Sequence, residues 1–295
     1  MTKIDFHVHV TPKEISENYK KYARNEPYFG LLSGSPKNKF ATADEVVEEL
    51  DRTGFDKAVI FGFGFRDMGL CQYVNDYVIE KTRQYPGRLV GYMSLAPNHR
   101  DVEKEIDRCF SLGLRGIGEL FPAGQNFRVE EAEDTGRFVQ ACRERGLPVL
   151  VHTNEPIGHY YTGKTDTTLR QLECFIENSQ GLTVILAHWG GGLPFYEMMP
   201  EMREKCRSVY YDTAATVFLY DHRIYQTVCT LGIGERVLFG SDFPLLSPGR
   251  YMEAIEKSGI PEGDRALMLG RNAEKLLKRT GAWIEWNESD RIGCK

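Results

Sequence analysis

The stretch Lys3–Val10, KIDFHVHV, sets apolar Ile4, Phe6, Val8 and Val10 against polar Asp5, His7 and His9. Strict alternation with period two marks a β-strand whose side chains leave in turn by opposite faces. His7 and His9 then share one face with Asp5. A solvated strand tolerates that face, whereas a buried one needs something to pair with its imidazoles. The choice depends on what surrounds the strand.

Downstream, helix-like and strand-like segments alternate. ADEVVEELDRTG reads as a helix with Thr42 as N-cap and Gly54 as stop. The apolar strand KAVIFGF follows, and later strands read RLVGYMSLA, RGIGELF, PVLVHTN, LTVILAHW, SVYYDTA and RVLFGSDF, each with a helical segment after it. Runs such as AVIF, VLV and VILA are apolar on both faces, as parallel strands covered by helices should be. Eight β–α units in 295 residues predict an α/β fold, a (β/α)8 TIM barrel. A doubly wound open sheet ranks second, because no glycine-rich phosphate turn follows the first strand. The expected organisation is a single domain over residues 1–295. It has a long loop from about residue 11 to 42 and a C-terminal helical extension. In this frame Ile4, Phe6, Val8 and Val10 are expected to pack outward against helices, with His7 and His9 turned into the barrel mouth.

Bulk composition narrows the partners. With 37 Lys and Arg against 42 Asp and Glu, the formal charge is −5, which gives no electrostatic reason to seek nucleic acid or anionic membrane. No apolar run has the length of a membrane span, and the first residues lack the apolar core of a signal peptide, so a cytoplasmic location is the default expectation. Seven cysteines, none in a C-x-x-C pair, point to reduced thiols rather than a disulfide frame or a thiolate zinc site. The expected partner is a small-molecule substrate. A homo-oligomer is left open, since the tail around Trp283 and Trp286 suits a neighbouring subunit or its own barrel equally.

Active sites of such barrels lie at the carboxyl ends of the strands. Those ends carry His7 and His9 (strand one), Glu119 (strand four), His152 (strand five), His188 (strand six) and Asp242 (strand eight). Asp212, at the end of strand seven, falls outside the expected set. Each residue alone has an ordinary explanation: a core histidine, a salt-bridged Glu119, or Asp242 capping the turn SDFP. Their joint occurrence at independently counted strand ends points to a divalent transition metal, one or two ions, with Zn2+ first in line.

DFHVHV, VHTN, AHWGGGLPF and GSDFP resemble the motifs of the amidohydrolase superfamily of metal-dependent barrels. The resemblance is strongest to the amidohydrolase-related branch that includes aminocarboxymuconate-semialdehyde decarboxylase-like proteins, and it runs from Lys3 to about Gly281. It implies that His7, His9, His152 and Asp242 hold metal, and that His188 meets the bound water or substrate, or a second metal. The carboxylated lysine that binuclear relatives often carry on strand four is absent. Glu119 stands there instead, in a setting similar to that of TatD-type hydrolases, where the glutamate is a ligand. The expected activity is hydrolysis of a small carboxylic ester, lactone or amide by metal-activated water. Asp242 would act as acid–base and His188 would steady the oxyanion. The alternative is a metal-dependent nonoxidative decarboxylase of an aromatic or unsaturated carboxylic acid. Arg66, His159, Tyr160 and Trp189 are the candidate substrate-binding residues, and Tyr19, Tyr22, Arg24, Tyr28 and Phe29 are candidates for a lid.

Overall fold

The computed structural model describes residues 1–285. Its strands are β1 (Ile4–His9), β2 (Lys57–Phe61), β3 (Leu89–Gly91), β4 (Ile117–Leu120), β5 (Val149–Val151), β6 (Val184–Leu186), β7 (Val209–Asp212) and β8 (Val237–Leu238). They pair in parallel in chain order, β1 to β3 and β4 to β8. The bridges Met93–Ile117 and Val8–Phe243 join the two runs into a closed (β/α)8 TIM barrel. Helices occupy the connections, and the helix after the first connection carries both end signals that the sequence predicts. Over Ala43–Thr53, Thr42 and Glu45 form a reciprocal capping box, and Gly54 ends the helix at φ 72°, a conformation glycine adopts without a Cβ clash.

Strand parity sorts the core into two clusters. Ala58, Ile60, Val149, Val151, Val184, Leu186, Val237 and Phe239 meet the helical layer. Their alternates Val59, Phe61, Leu150, Ile185, Tyr210 and Leu238 fill the barrel interior. β1 obeys this rule only in halves. Val8 and Val10 belong to the outer cluster, but Ile4 and Phe6 lie inside, with Phe6 edge-on to Tyr92 at 5.7 Å between ring centroids. The expectation that all four pack outward is therefore corrected for Ile4 and Phe6. The cause is a register shift between Asp5 and Val8, which changes the parity of the strand so that Phe6, His7 and His9 all serve the inner side.

The connection after β1 is not a plain loop, since it carries short helices at Lys13–Glu17, Tyr19–Tyr22 and Pro27–Ser33. At the amino end of the barrel, the helix Asn272–Arg279 places Ala273, Leu276 and Leu277 among Ile4, Phe6 and Tyr210. Trp283 packs on that plug beneath the Lys57 ammonium, which lies 4.6 Å from the indole centre. Trp286 and Cys294 lie outside the described residues. The described cysteines are unpaired, and no described helix is long and apolar enough to cross a membrane.

Phe6 is wholly enclosed, so Phe6→Ala should lower unfolding free energy by about 3–5 kcal/mol, read from denaturant titration. A loss under about 1 kcal/mol would mean that the inner cluster does not hold the barrel.

Candidate metal centre

β8 and β1 meet through Phe6 N to Phe239 O at 2.7 Å, Asp242 N to His7 O at 3.0 Å and His9 N to Phe243 O at 2.8 Å. Beneath them the buried Asp5 carboxylate accepts from the Ser241 amide at 2.9 Å and from its hydroxyl. Asp242 adopts φ 63°, a left-handed turn that Asp tolerates better than most residues, and its carboxylate comes over β1.

Four donor atoms converge there. His7 Nε2 lies 3.2 Å from His9 Nε2, 3.6 Å from Asp242 Oδ1 and 3.8 Å from Glu119 Oε2. His9 Nε2 lies 3.5 Å from each of those carboxylate oxygens. Ligands about 2.1 Å from a tetrahedral ion stand roughly 3.4 Å apart, so the donor set fits one divalent ion. Among the described residues, the three-residue groupings that suit a metal are His7, His9, Asp242 and His7, Glu119, His188. His152 joins neither grouping. Its Nδ1 faces Glu119 Oε1 at 3.0 Å and its Nε2 faces Gly163 O at 3.0 Å, so both ring nitrogens are engaged.

Asp212 orients the histidines. It is fully buried, with one oxygen 2.8 Å from His7 Nδ1 and the other accepting from His188 N at 2.9 Å and Ala214 N at 3.0 Å. A proton on His7 Nδ1 leaves Nε2 as the lone pair turned to the donor cluster. His188 stands in a left-handed turn, φ 54°. Its Nδ1 is 3.2 Å from Ala214 O and its Nε2 is 3.5 Å from Glu119 Oε1. The turn needs glycine at Gly191, where a Cβ would come within 2.3 Å of Asn154 O.

The electrostatics call for positive charge. Burial alone would lower the His7 pKa, but the charges of Asp212, Glu119 and Asp242 outweigh it and carry it to about 9. Burial is likewise outweighed at His188, by hydrogen bonding to Glu119 and the charges of Asp242, Glu119 and Asp212, which bring it to about 10. Burial would raise Glu119, yet His152 and His7 hold it well below the usual carboxylate range. Carboxylates that favour imidazolium favour a metal cation equally, with the imidazoles neutral.

Above the cluster opens a cavity of about 580 Å3, lined by His9, Glu119, His152, His188 and Asp242 among others. His159 and Tyr160 line it, as does Tyr161, whose hydroxyl donates to Glu155 at 3.0 Å. From the first connection Tyr28 and Phe29 reach it, while Tyr19, Tyr22 and Arg24 are not among its lining. Two expected substrate contacts are corrected. Trp189 is fully buried, donates from Nε1 to Thr216 Oγ1 at 2.8 Å and packs edge-on against Tyr225, because the left-handed turn swings it into the helical layer. Arg66 is not among the lining, and its Nε donates to Gly124 O at 2.8 Å. Sequence reasoning missed Phe63, Phe121, Phe218 and Leu245, which line the cavity. For Phe63 and Phe121, a position just after the ends of β2 and β4 was the available signal.

The amidohydrolase family model matches residues 4–279. A 2-amino-3-carboxymuconate-6-semialdehyde decarboxylase of Dictyostelium discoideum is 24% identical, covering 93% of this chain and 91% of its own length. The 5-carboxyvanillate decarboxylase of Sphingomonas paucimobilis superposes with a TM-score of 0.76 at 16% identity, covering 94% of this chain and 99% of its own. That of Novosphingobium aromaticivorans, complexed with manganese and 4-hydroxy-3-methoxy-5-nitrobenzoic acid, gives 0.74 at 17% identity, covering 94% and 96%.

Asp212→Asn places an amide among three donors and is expected to weaken metal binding by about 10–100-fold. Metal titration with a competing chromophoric chelator reads this, and unchanged affinity would remove Asp212 from any positioning role.

Proposed function

The chain belongs to the amidohydrolase family, and from that premise we propose that it is a metal-dependent nonoxidative decarboxylase of an aromatic or unsaturated carboxylic acid. Sequence reasoning puts hydrolysis first. The decarboxylase activity of the Dictyostelium relative, which aligns over nearly the whole of both chains, supports reversing that order, and this alignment carries the reading. The manganese of the Novosphingobium enzyme makes Mn2+ the first ion to load, ahead of zinc.

His7, His9, Glu119 and Asp242 would hold the ion. When bound, it supplies positive charge that draws the substrate's carboxylate or neighbouring hydroxyl to the cavity floor. Asp212 keeps His7 and the His188 turn in place. The aromatic walls orient the body of the acid: Phe121 stands edge-on to His152 at 4.5 Å between ring centroids, and Phe63 stacks on His9 at 5.1 Å. As the bond to the carboxyl carbon breaks, its electron pair stays on the substrate carbon and carbon dioxide leaves. That carbon then takes a proton from the acid beside it, Asp242 or His188, both of which line the cavity.

One observation favours the hydrolase reading. Glu119 turns Oε2 to His7 and His9 but Oε1 to His152 and His188, the placement of a carboxylate able to bridge two ions. Metal count separates the two readings. Decarboxylation with the four-donor site expects about one tightly held ion per chain, whereas bridging expects two.

Manganese-loaded protein should release carbon dioxide from hydroxybenzoate-like acids and lose that activity on chelation. Its metal content, by plasma mass spectrometry, should be about one ion per chain. Turnover of lactones or esters without carbon dioxide, together with two ions, would overturn the decarboxylase reading in favour of hydrolysis.

A further inference from the structure

The charged groups facing the cavity divide by depth, and this bears on which acid it takes, an inference that rests on the decarboxylase reading. Glu119 and Asp242 stand on the floor with the histidines, while Lys37, Lys39 and His159 stand exposed at the rim. Lys37 holds Nζ 5.3 Å from the Phe218 ring centre, at the solvent edge. Between floor and rim the walls are mainly apolar, with Phe29, Leu32, Phe63, Phe121, Leu219 and Leu245, and their polar groups are uncharged ones such as Tyr28, Tyr161 and Asn38. Among the described residues no arginine lines the cavity.

A carboxylate taken out of water needs a charged partner to offset its lost hydration, and these walls offer neutral groups only. On the floor the donor set fits one divalent ion, to which a single acidic group would bind. The volume, about 580 Å3, is that of a pocket for a drug-sized molecule (roughly 300–1,000 Å3) rather than a small fragment. The geometry points to a substrate with a single carboxylate at the floor and an uncharged apolar body longer than one ring. That body reaches Leu32, Leu219 and Phe218, whose ring is 46% exposed.

Calorimetry on the manganese-loaded protein tests this with 2-hydroxybenzoate, its 4-phenyl derivative and its 4-carboxy derivative. The biaryl acid is expected to bind about tenfold tighter than the single ring, and the dicarboxylate about tenfold weaker. Phe218→Ala, at an exposed position the fold does not need, should shrink the biaryl advantage by about threefold. A dicarboxylate that binds tighter than 2-hydroxybenzoate, or a biaryl acid that gains nothing, overturns the inference. Carbon dioxide release, measured on the same acids, keeps the two readings apart. Release with the binding order reversed removes this inference and leaves the decarboxylase. The expected order with no release from any acid does the opposite, and no binding at all removes both.

Discussion

Three main-chain hydrogen bonds lace β8 to β1, from Phe6 N, His9 N and Asp242 N, and they bring Asp242 over His7 and His9. The seam closes the barrel and assembles three of the four candidate ligands in the same act. Asp5 reinforces it from below by gripping Ser241, the residue next to Asp242. A barrel strand that slipped by one residue here would send His7 and His9 into the helical layer, because side chains alternate faces. Fold and site share one register.

Alternation makes the strands legible, and all eight expected segments contain an observed strand. Their carboxyl ends hold His7, His9, Glu119, His188 and Asp242 in one cluster because barrel geometry brings strand ends together, and that follows from counting alone. What counting cannot supply is a change of parity. KIDFHVHV looks uniform, yet Ile4 and Phe6 face inward together with His7 and His9, through a shift in the pairing with β2. Nothing local in the strand announces that shift, which depends on how β1 meets its neighbours.

Asp212 was visible as an acid at a strand end and still could not be ranked. Its value lies in contacts with His7, 205 positions away in sequence, and with the His188 amide. Trp189 failed in the opposite sense. Adjacency to His188 suggested a shared destination, but positive φ at both residues sends the imidazole to the cavity and the indole into the core. Adjacent residues of a regular strand also leave by opposite faces, so adjacency alone is no ground for a shared destination.

The surroundings of the ligand cluster bear on which chemistry suits it. Hydrolysis needs water delivered and activated, whereas decarboxylation turns a charged, strongly hydrated carboxylate into neutral carbon dioxide. Walls such as Phe63, Phe121 and Leu245 keep water from restoring that hydration, and they strengthen each electrostatic contact at the floor. The floor in turn carries three carboxylates within reach of His7, those of Glu119, Asp212 and Asp242, whose charge favours protonated His7 and His188 or a bound cation in their place. Apolar walls over a floor of this kind suit an acid that arrives with one charge and leaves without it.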